Sequence, residues 1–497
     1  MITASFSEIA IPRAGALILP LFQGAKLTGT AAKLDSRLKG ALKRAIAASD
    51  FSGKLEEVLE VIAPGGVSLS RILIIGAGDT AKATISHFER IGAVATARLN
   101  AARDRQAAII VEDFDSKISS SEAAAHIALG VQLRSYRFDN YLTTLKPKDK
   151  PVLHRISILC VKPQEARKHW HILSAAADGM TLARDLVNEP PNVLFPAEFA
   201  NRAKKLIAQG VKVEVLGVRE MRALKMNALL GVGQGSVKEP KLVVMQWRGG
   251  GKNDAPHAFV GKGVTFDTGG ISLKPPANMG EMKGDMAGAA AVTGLMRALA
   301  ARKAPINVVG IAVLAENMPD GNAQRPGDIV TSMSGQTIEV LNTDAEGRLI
   351  LADALWYAID RFKPRLIVNL ATLTGAILVA LGSEYAGLFS NNDQLSEKLT
   401  AAGEATGEKL WRLPMNDAYD RMIKSNVADM QNIGGRDAGS ITAAQFLQRF
   451  VKKVPWAHLD IAGVAWKSGG KVGEGWGTGF GVRLLDEFLR KNYEAGA

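Results

Sequence analysis

The stretch VGKGVTFDTGGISLKPPANMGEMKGDMAGAAA, residues 260 to 291, combines an apolar strand, a glycine-rich loop and the start of a helix of small residues. Lys262, Asp267, Lys274 and Asp285 stand at or just beyond the end of this predicted strand, among neighbours that disfavour charge. Open α/β sheets bind ligands at the carboxyl ends of their strands. The stretch therefore predicts an α/β domain with a charged site at one edge of its sheet.

A second stretch, LNTDAEGRLILADAL at 341 to 355, places Asp344, Glu346 and Arg348 in a turn that opens a helix. The two stretches together supply four carboxylates: Asp267, Asp285, Asp344 and Glu346. Four carboxylates are enough for two adjacent divalent ions. Isolated carboxylates in apolar surroundings take up protons, and dications remove that penalty. The pattern favours a metal site, with structural ion pairs on loop surfaces as the alternative.

Histidine does not contribute to this predicted site. The seven histidines form no HExxH pair, and none lies in either charged stretch. The zincin mechanism, in which two histidines of one helix hold zinc, is therefore disfavoured.

Apolar runs alternate with helical patterns along the rest of the chain, which indicates an α/β fold with two domains. We predict a smaller N-terminal α/β domain over residues 1–170 and a linker helix over 171–190. That helix is stopped by Pro190 and Pro191. The larger C-terminal α/β domain, 191–497, is expected to contain a mixed central sheet covered by helices.

Composition excludes several classes of protein. Hydrophobic residues make up 47% of the 497 positions and charged residues 22%, which excludes global disorder and coiled coil. Cys160 is the one cysteine, so no internal disulfide or thiolate zinc cluster forms, and a reducing compartment, the cytoplasm, fits best. Two apolar segments imitate targeting or membrane sequences. We interpret residues 14–22 as a buried strand and 366–383 as a strand, a turn and a helix, so no membrane span is expected.

Positive charge is concentrated at the N-terminal end. Residues 1–170 hold 24 Lys and Arg against 16 Asp and Glu, a net charge of +8, out of +12 for the chain. Such a surface can attract nucleic acid through counterion release. DNA binding by the N-terminal domain is therefore one hypothesis, and a solvated lysine-rich surface is the other.

Two motifs carry a family resemblance. NTDAEGRL, residues 342–349, resembles the signature of the leucine, or cytosol, aminopeptidases, and VGKGVTFDTGGISLKP, residues 260–275, resembles that family's other metal-binding stretch. Similarity also covers 183–200, 369–382, 439–451 and 458–463, and so extends over essentially all of 180–497. The first 170 residues resemble the family only loosely.

The resemblance implies two divalent ions, zinc or manganese, with assigned ligands. Asp267 and Glu346 would touch both ions, Asp344 would complete the first site, and Lys262 and Asp285 the second. A lysine ligand must bind as a neutral amine, so the pKa of Lys262 would have to fall well below its usual value.

The resemblance also assigns the catalytic and substrate-binding residues. Lys274 would stay charged and stabilise the developing oxyanion. Arg348 would hold bicarbonate or a similar anion that relays a proton, because its planar fork suits a carboxylate-like ion. Met282, Thr372 and Gly375 would line the side-chain pocket.

The activity implied is that of a metal-dependent exopeptidase, which releases leucine-like N-terminal residues from peptides with water activated by two metals. The resemblance further implies a homohexamer in the cytoplasm. Two alternatives remain at this point: a DNA-binding regulator, and a two-metal hydrolase of phosphate esters. The second is disfavoured because the motifs include a lysine ligand and a peptidase-type signature.

Overall fold

The computed structural model describes residues 2–24, 27–114, 117–467 and 475–494 of the chain. The chain divides into two compact units, Met1–Ala177 and Asp178–Ala497. Each unit contains a β-sheet with helices packed on it. The predicted fold class, a smaller N-terminal and a larger C-terminal α/β domain, is confirmed.

The N-terminal unit is built on one sheet of six described strands. In chain order they are β1 (Thr3–Ser7), β2 (Ala16–Leu21), β3 (Val58–Ile62), β4 (Arg71–Gly76), β5 (Gln106–Val111) and β6 (Arg155–Cys160). The helices are α1 (Gly29–Arg37), α2 (Ala41–Ala47), α3 (Ile85–Ala101), α4 (Ser120–Arg134) and α5 (Pro163–Asn188), which continues into the second unit. The strand order is β1-β6-β5-β2-β4-β3, and every pair is parallel except β3 with β4.

Helices cover both faces of this sheet. One apolar cluster joins the sheet to α3 and α4, and another joins its opposite face to α1 and α2. The central strand β2 is fully buried over Ala16–Leu19. The interpretation of residues 14–22 as a buried strand is therefore confirmed.

The second unit contains a large sheet and a small one. The strands are β7 (Lys212–Leu216), β8 (Lys241–Arg248), β9 (His257–Asp267), β10 (Asn307–Asn317), β11 (Ile329–Thr331), β12 (Thr337–Glu339), β13 (Leu366–Ala371), β14 (Ala386–Ser390), β15 (Leu410–Arg412), β16 (Met430–Gln431) and β17 (Trp456–Asp460). The helices are α6 (Pro196–Lys204), α7 (Val218–Ala223), α8 (Asn227–Gly233), α9 (Ala287–Ala301), α10 (Glu346–Phe362), α11 (Gly375–Leu381), α12 (Asp393–Thr406), α13 (Asp417–Arg421), α14 (Gly439–Gln448) and α15 (Val482–Asn492).

The large sheet is mixed, as predicted. Its described strands follow the order β15-β14-β17-β13-β9-β10-β8-β7, and β17, β13, β9 and β10 are mutually parallel. Four central strands therefore end at the same edge of the sheet. Apolar clusters lie on both faces, one including α9 and α15 and the other including α10 and α14.

The uncharged segment 366–383 forms a buried strand, a turn and a short helix. Leu366–Ala371 is β13, and Gly375–Leu381 is α11, whose first turn is capped by the Thr374 hydroxyl accepting from the Ile377 amide. Polar residues of the turn form hydrogen bonds within the protein, whereas lipid would offer them no hydrogen-bond partners. Each helix that the structure describes is too short or too polar to cross a membrane.

Candidate metal centre

The central parallel strands bring the two charged stretches together. Asp267 is the last residue of β9, and Thr372 directly follows the neighbouring strand β13. Asp285 directly follows the 3-10 turn Met279–Gly284, shortly before α9, and Glu346 is the first residue of α10. Lys262 lies within β9, and not at or beyond its end as the sequence pattern suggested. β9 runs for eleven residues, so its buried middle carries the lysine.

The carboxylates form one buried cluster around two lysines. Oxygen atoms of Asp267, Asp344 and Glu346 all lie within 4.8 Å of one another. The Lys262 Nζ atom is 2.8 Å from Asp285 Oδ2 and 2.8 Å from Glu346 Oε1. All five ligands named from the sequence therefore converge on one site.

Lys274 joins the cluster from the loop that follows β9. Its Nζ atom is 2.8 Å from Asp267 Oδ2 and 2.5 Å from Asp344 Oδ1. Its side chain is 21% exposed, whereas that of Lys262 is 3% exposed. Lys274 therefore lies on the solvent side of the cluster, and Lys262 lies at its base.

Burial controls the protonation of the carboxylates. Burial raises the pKa of Glu346 to about 8, and the nearby Asp267 charge adds to the effect while Lys262 opposes it. The pKa of Asp285 is raised by burial to about 6, against the opposing charge of Lys262. Burial, reinforced by Asp267, also raises the pKa of Asp344. Several carboxylic acids this close together in a largely buried cluster are costly to ionise unless strong positive charge lies beside them.

The lysines respond in the opposite way. Burial alone would lower the pKa of Lys262, but the charges of Asp285, Glu346 and Asp267 outweigh burial and raise it. The same competition raises the pKa of Lys274. The carboxylates by themselves thus favour a protonated Lys262. A neutral, ligating Lys262 requires a dication that displaces its proton and neutralises these carboxylates.

Arg348 is a buried cation without a hydrogen-bonding or ion-pair partner among the described residues. It is 7% exposed, and burial lowers its pKa to about 10 although Glu346 and Asp460 oppose the shift. Its Nε atom is buried without a hydrogen bond, and within the described residues the guanidinium forms no salt bridge. A buried guanidinium of this kind has free donors for a small planar anion.

Asn317 and Thr372, which sequence reasoning did not assign as supporting residues, hydrogen-bond to two of the predicted ligands. The Asn317 Nδ2 atom donates to Asp267 Oδ1 at 2.8 Å and to the Thr343 carbonyl at 3.1 Å. Thr372 Oγ1 donates to Asp285 Oδ1 at 2.8 Å, and its carbonyl accepts from Lys262 Nζ at 3.0 Å. The only signal for Asn317 was a polar residue at the end of an apolar strand.

Asp460, at the end of β17, fixes the turn that contains Thr372. It is fully buried, and its two oxygens accept hydrogen bonds from the Leu373 amide at 3.1 Å and the Thr374 hydroxyl at 2.6 Å. Burial raises the pKa of Asp460 to about 6 against these hydrogen bonds. Asp460 therefore acts on the turn and not on the cluster itself.

The three residues assigned to the side-chain pocket occupy different environments. Met282 is half-buried in the 3-10 turn before Asp285. Thr372 is buried at the cluster, as described above. Gly375 is exposed at the start of α11, with open space where a Cβ atom would lie.

Two glycines permit this close packing. A Cβ atom on Gly347 would lie 2.7 Å from Lys262 Cε and 2.8 Å from its Nζ atom, so a larger residue in the first turn of α10 would force the Lys262 side chain to shift. Gly269 has a φ of +86°, which favours glycine, and lets the loop after β9 turn back toward Asp344.

The residues present fit divalent ions. The Glu346 Oε2 atom is buried and has no hydrogen-bond partner among the described residues, which is a costly arrangement for a carboxylate. The donors are four carboxylates and one amine, a set suited to Zn²⁺ or Mn²⁺.

Comparison with known proteins identifies similar chains. Residues 181–486 match the catalytic domain of the cytosol aminopeptidase family, and residues 18–144 match the N-terminal domain of the same family. The chain is 55% identical over 498 residues to a probable cytosol aminopeptidase of Chelativorans sp. (strain BNC1), covering 99% of both chains. It is 54% identical to one of Rhizobium etli (strain CIAT 652), again over 99% of both.

Solved structures extend this similarity. A tomato leucine aminopeptidase mutant is 36% identical, with a TM-score of 0.89, and the match covers 99% of this chain and 97% of the other. The bottromycin maturation enzyme BotP in complex with Mn is 35% identical, with a TM-score of 0.83, and the match covers 96% of this chain and 99% of the other.

Proposed function

Because this chain belongs to the cytosol aminopeptidase family, whose members are metal-dependent peptidases, we propose that it removes leucine-like residues from the free N-terminus of peptides. It is a hydrolase of the peptidase class. The observation that carries this proposal is the convergence of four carboxylates, three of them buried, with Lys262, from segments spread over more than eighty positions.

We assign two divalent ions to this cluster. Asp267 and Glu346 would touch both ions, Asp344 would complete one site, and Lys262 with Asp285 the other. Zinc and manganese both suit these donors, and manganese is the metal named with the similar enzyme BotP. When bound, such ions polarise a carbonyl oxygen and lower the pKa of water.

Lys274 and Arg348 supply the remaining chemistry in this proposal. Lys274 is protonated at the solvent side of the cluster, where it can stabilise negative charge that develops on the scissile carbonyl oxygen. Arg348 would hold bicarbonate or a similar anion through its guanidinium donors, and such an anion would supply a proton relay between water and the departing amine. Removing either charge leaves the other groups in place, so the two roles can be tested separately.

Specificity for the end of a peptide follows from the free amine. An internal peptide bond offers no amine lone pair to a metal, whereas an N-terminal residue does. We assign the side-chain pocket to Met282, Thr372 and Gly375. Apolar contacts discriminate by only about 1–3 kcal/mol per methylene-sized difference, so broad leucine-like selectivity is expected.

The family resemblance also supports a homohexamer located in the cytoplasm. Light scattering in solution measures the first of these directly, and a stable monomer would contradict it.

The central test replaces Glu346 with alanine. We expect hydrolysis of leucine p-nitroanilide, with Mn²⁺ or Zn²⁺ supplied, to fall by at least about 1000-fold because a shared ligand is lost. Metal content, measured by mass spectrometry, should fall as well. Glu397→Ala, an exposed position on α12, serves as the matched control.

Two results would contradict the proposal. One is peptidase activity and metal content that both survive in Glu346→Ala. The other is wild-type protein that hydrolyses p-nitrophenyl phosphate efficiently and leucine p-nitroanilide not at all, which would favour the phosphate-ester alternative.

A further inference from the structure

The N-terminal unit contains a cavity for which the peptidase reaction has no use. It is partly open to solvent and has a volume of about 120 Å³ at the carboxyl ends of the adjacent parallel strands β2 and β5. Leu19, Leu21 and Ile110 line it from the strands, and Phe88 lines it from α3.

The cavity lies where the connections of the sheet diverge. After β2 the chain enters α1, which packs on one face, and after β5 it enters α4, which packs on the other. A crevice opens between two parallel strands whose connections leave in opposite directions, and ligands of α/β proteins bind in such crevices. The position of the cavity is therefore a feature of the topology and not a chance packing defect.

Three phenylalanine rings contribute to its wall. The Phe114 ring lies 5.3 Å from that of Phe22 and 5.2 Å from that of Phe88, measured between centroids. Apolar cavities of about 150 Å³ accommodate benzene. The size and lining of this one therefore suit a single six-membered aromatic ring.

Two carboxylates stand at the polar end of the cavity. Glu112 Oε1 accepts from the Thr30 amide at 2.8 Å and from the Thr30 hydroxyl at 2.7 Å, whereas Oε2 makes no hydrogen bond with any described residue. Asp113 Oδ1 accepts from the Ser120 hydroxyl, and Asp113 Oδ2 makes no hydrogen bond with any described residue. Both residues line the cavity.

These carboxylates determine the charge of a suitable ligand. Glu112 already accepts from the Thr30 amide in the first turn of α1, where a phosphate or carboxylate ligand would otherwise bind, and Asp113 accepts from the hydroxyl of Ser120, the first residue of α4. Anions are therefore repelled, and Glu112 Oε2 and Asp113 Oδ2, which accept from no described residue, are acceptors for a cationic donor.

We propose that this cavity, at the β2–β5 crevice, binds a monocyclic aromatic ring that carries a primary ammonium group. The ring lies against Phe22, Phe88 and Phe114, and the ammonium group donates to Glu112 and Asp113. The site is separate from the metal centre, and the inference does not depend on the proposed peptidase mechanism.

Titration calorimetry of the full-length protein tests the proposal with 2-phenylethylamine and 3-phenylpropionate, which share the ring and differ in charge. We expect saturable binding of the amine and at least about tenfold weaker binding of the acid. Glu112→Gln keeps an acceptor for Thr30 and should weaken amine binding by about tenfold. Ala31→Leu, which fills the cavity from α1, should abolish binding without lowering the melting temperature.

These variants separate the cavity from the metal centre, because amine binding at the metal centre would survive in both. Unchanged amine binding in Glu112→Gln and Ala31→Leu would overturn the proposal, as would absence of amine binding to the wild-type protein. Equal affinity for the acid would overturn the assignment of a cationic ligand.

Discussion

Lys262 and Lys274 show how position sets the surroundings of one functional group. Both lie among the same carboxylates, and both have a raised pKa. Lys262 lies at the base of the cluster, where its nitrogen contacts Asp285, Glu346 and the Thr372 carbonyl. These contacts orient the nitrogen toward the carboxylate oxygens. Lys274, nearer solvent, can face a substrate.

Gly347→Ala should displace Lys262. The added Cβ atom would overlap the end of the lysine side chain, and a shift of about 1 Å at a reacting site costs about 100-fold in rate. Measuring kcat/KM for leucine p-nitroanilide checks this. Gly321→Ala, where a Cβ atom meets nothing within 4 Å, is the control. Equal activity of the two variants would show that Lys262 tolerates the contact.

Asn317→Leu should weaken the metal centre without removing a ligand. The substitution removes the donor to Asp267 and to the Thr343 carbonyl, and loss of such support costs about 10- to 100-fold in metal affinity or activity. Added Mn²⁺ should restore part of the activity. Asn322→Leu, an exposed position that follows β10, provides the comparison. Activity that is lost irrespective of metal concentration would point to misfolding instead.

At the scale of elements, α10 serves both the site and the fold. Its first turn carries Glu346 and Arg348, and its middle carries Asp353, which is fully buried. Asp353 accepts hydrogen bonds from the Leu229 amide of α8 at 2.9 Å and from the Met333 amide at 2.7 Å. The helix that begins at the metal centre is thus tied to two other segments by one carboxylate.

Asp353→Ala should lower the free energy of unfolding by about 2–4 kcal/mol, because two buried amides lose their acceptor. Asp353→Asn keeps one carbonyl acceptor and should lower the free energy of unfolding by less than Asp353→Ala does. Urea denaturation followed by circular dichroism measures the difference. If alanine and asparagine were equally destabilising, the hydrogen bonds to the two amides would not be the cause.

At the scale of the whole molecule, one buried histidine contributes stability that should be lost in mild acid. His257 is 3% exposed, its ring lies 4.6 Å from that of Tyr493, and burial, with a smaller contribution from Arg365, lowers its pKa to about 4. The unfolded chain takes up a proton near pH 6.5 and the folded chain does not. The stabilisation of the folded state by the neutral histidine is therefore fully present above pH 6.5. It is lost as the pH falls toward 4, which lowers the free energy of unfolding by about 3 kcal/mol.

His257→Phe keeps a ring beside Tyr493 and removes the titrating group. The melting temperature of this variant should fall less than that of the wild type between pH 6.5 and pH 4.5. His171→Phe, at an exposed position on α5, is the matched control. Parallel pH profiles for the wild type and His257→Phe would contradict the expectation.

Metal removal should also affect the whole molecule. A ligand that binds only the folded state at 100 times its Kd stabilises it by about 2.7 kcal/mol. Dialysis against a chelator should therefore lower both the melting temperature and the peptidase activity, and zinc or manganese should restore them. Glu346→Ala should show no such rise on metal addition. A melting temperature independent of metal in the wild type would count against the centre.

DNA binding by the basic N-terminal part stays a prediction. Its net charge of +8 supports only a salt-dependent, sequence-independent attraction. A gel shift with plasmid DNA at low and high salt measures it, and no shift at low salt would remove the hypothesis.

The sequence by itself determined the local chemistry. The identities of Asp267, Asp344 and Glu346, the glycine-rich turns beside them, and the strand, turn and helix of 366–381 depend on residues a few positions apart. Patterns over such short distances are readable from composition and periodicity. The α/β class and the division into two domains followed from the alternation of strands and helices.

Only the tertiary structure decided which distant groups meet. The support of Asp267 by Asn317, the contact between Gly347 and Lys262, and the cavity between β2 and β5 depend on strand order. The tertiary structure also decides the pKa of Lys262, since carboxylates from other segments set it. Strand order is fixed by packing of the whole chain, and electrostatic interactions depend on distances in space, neither of which local sequence spacing contains.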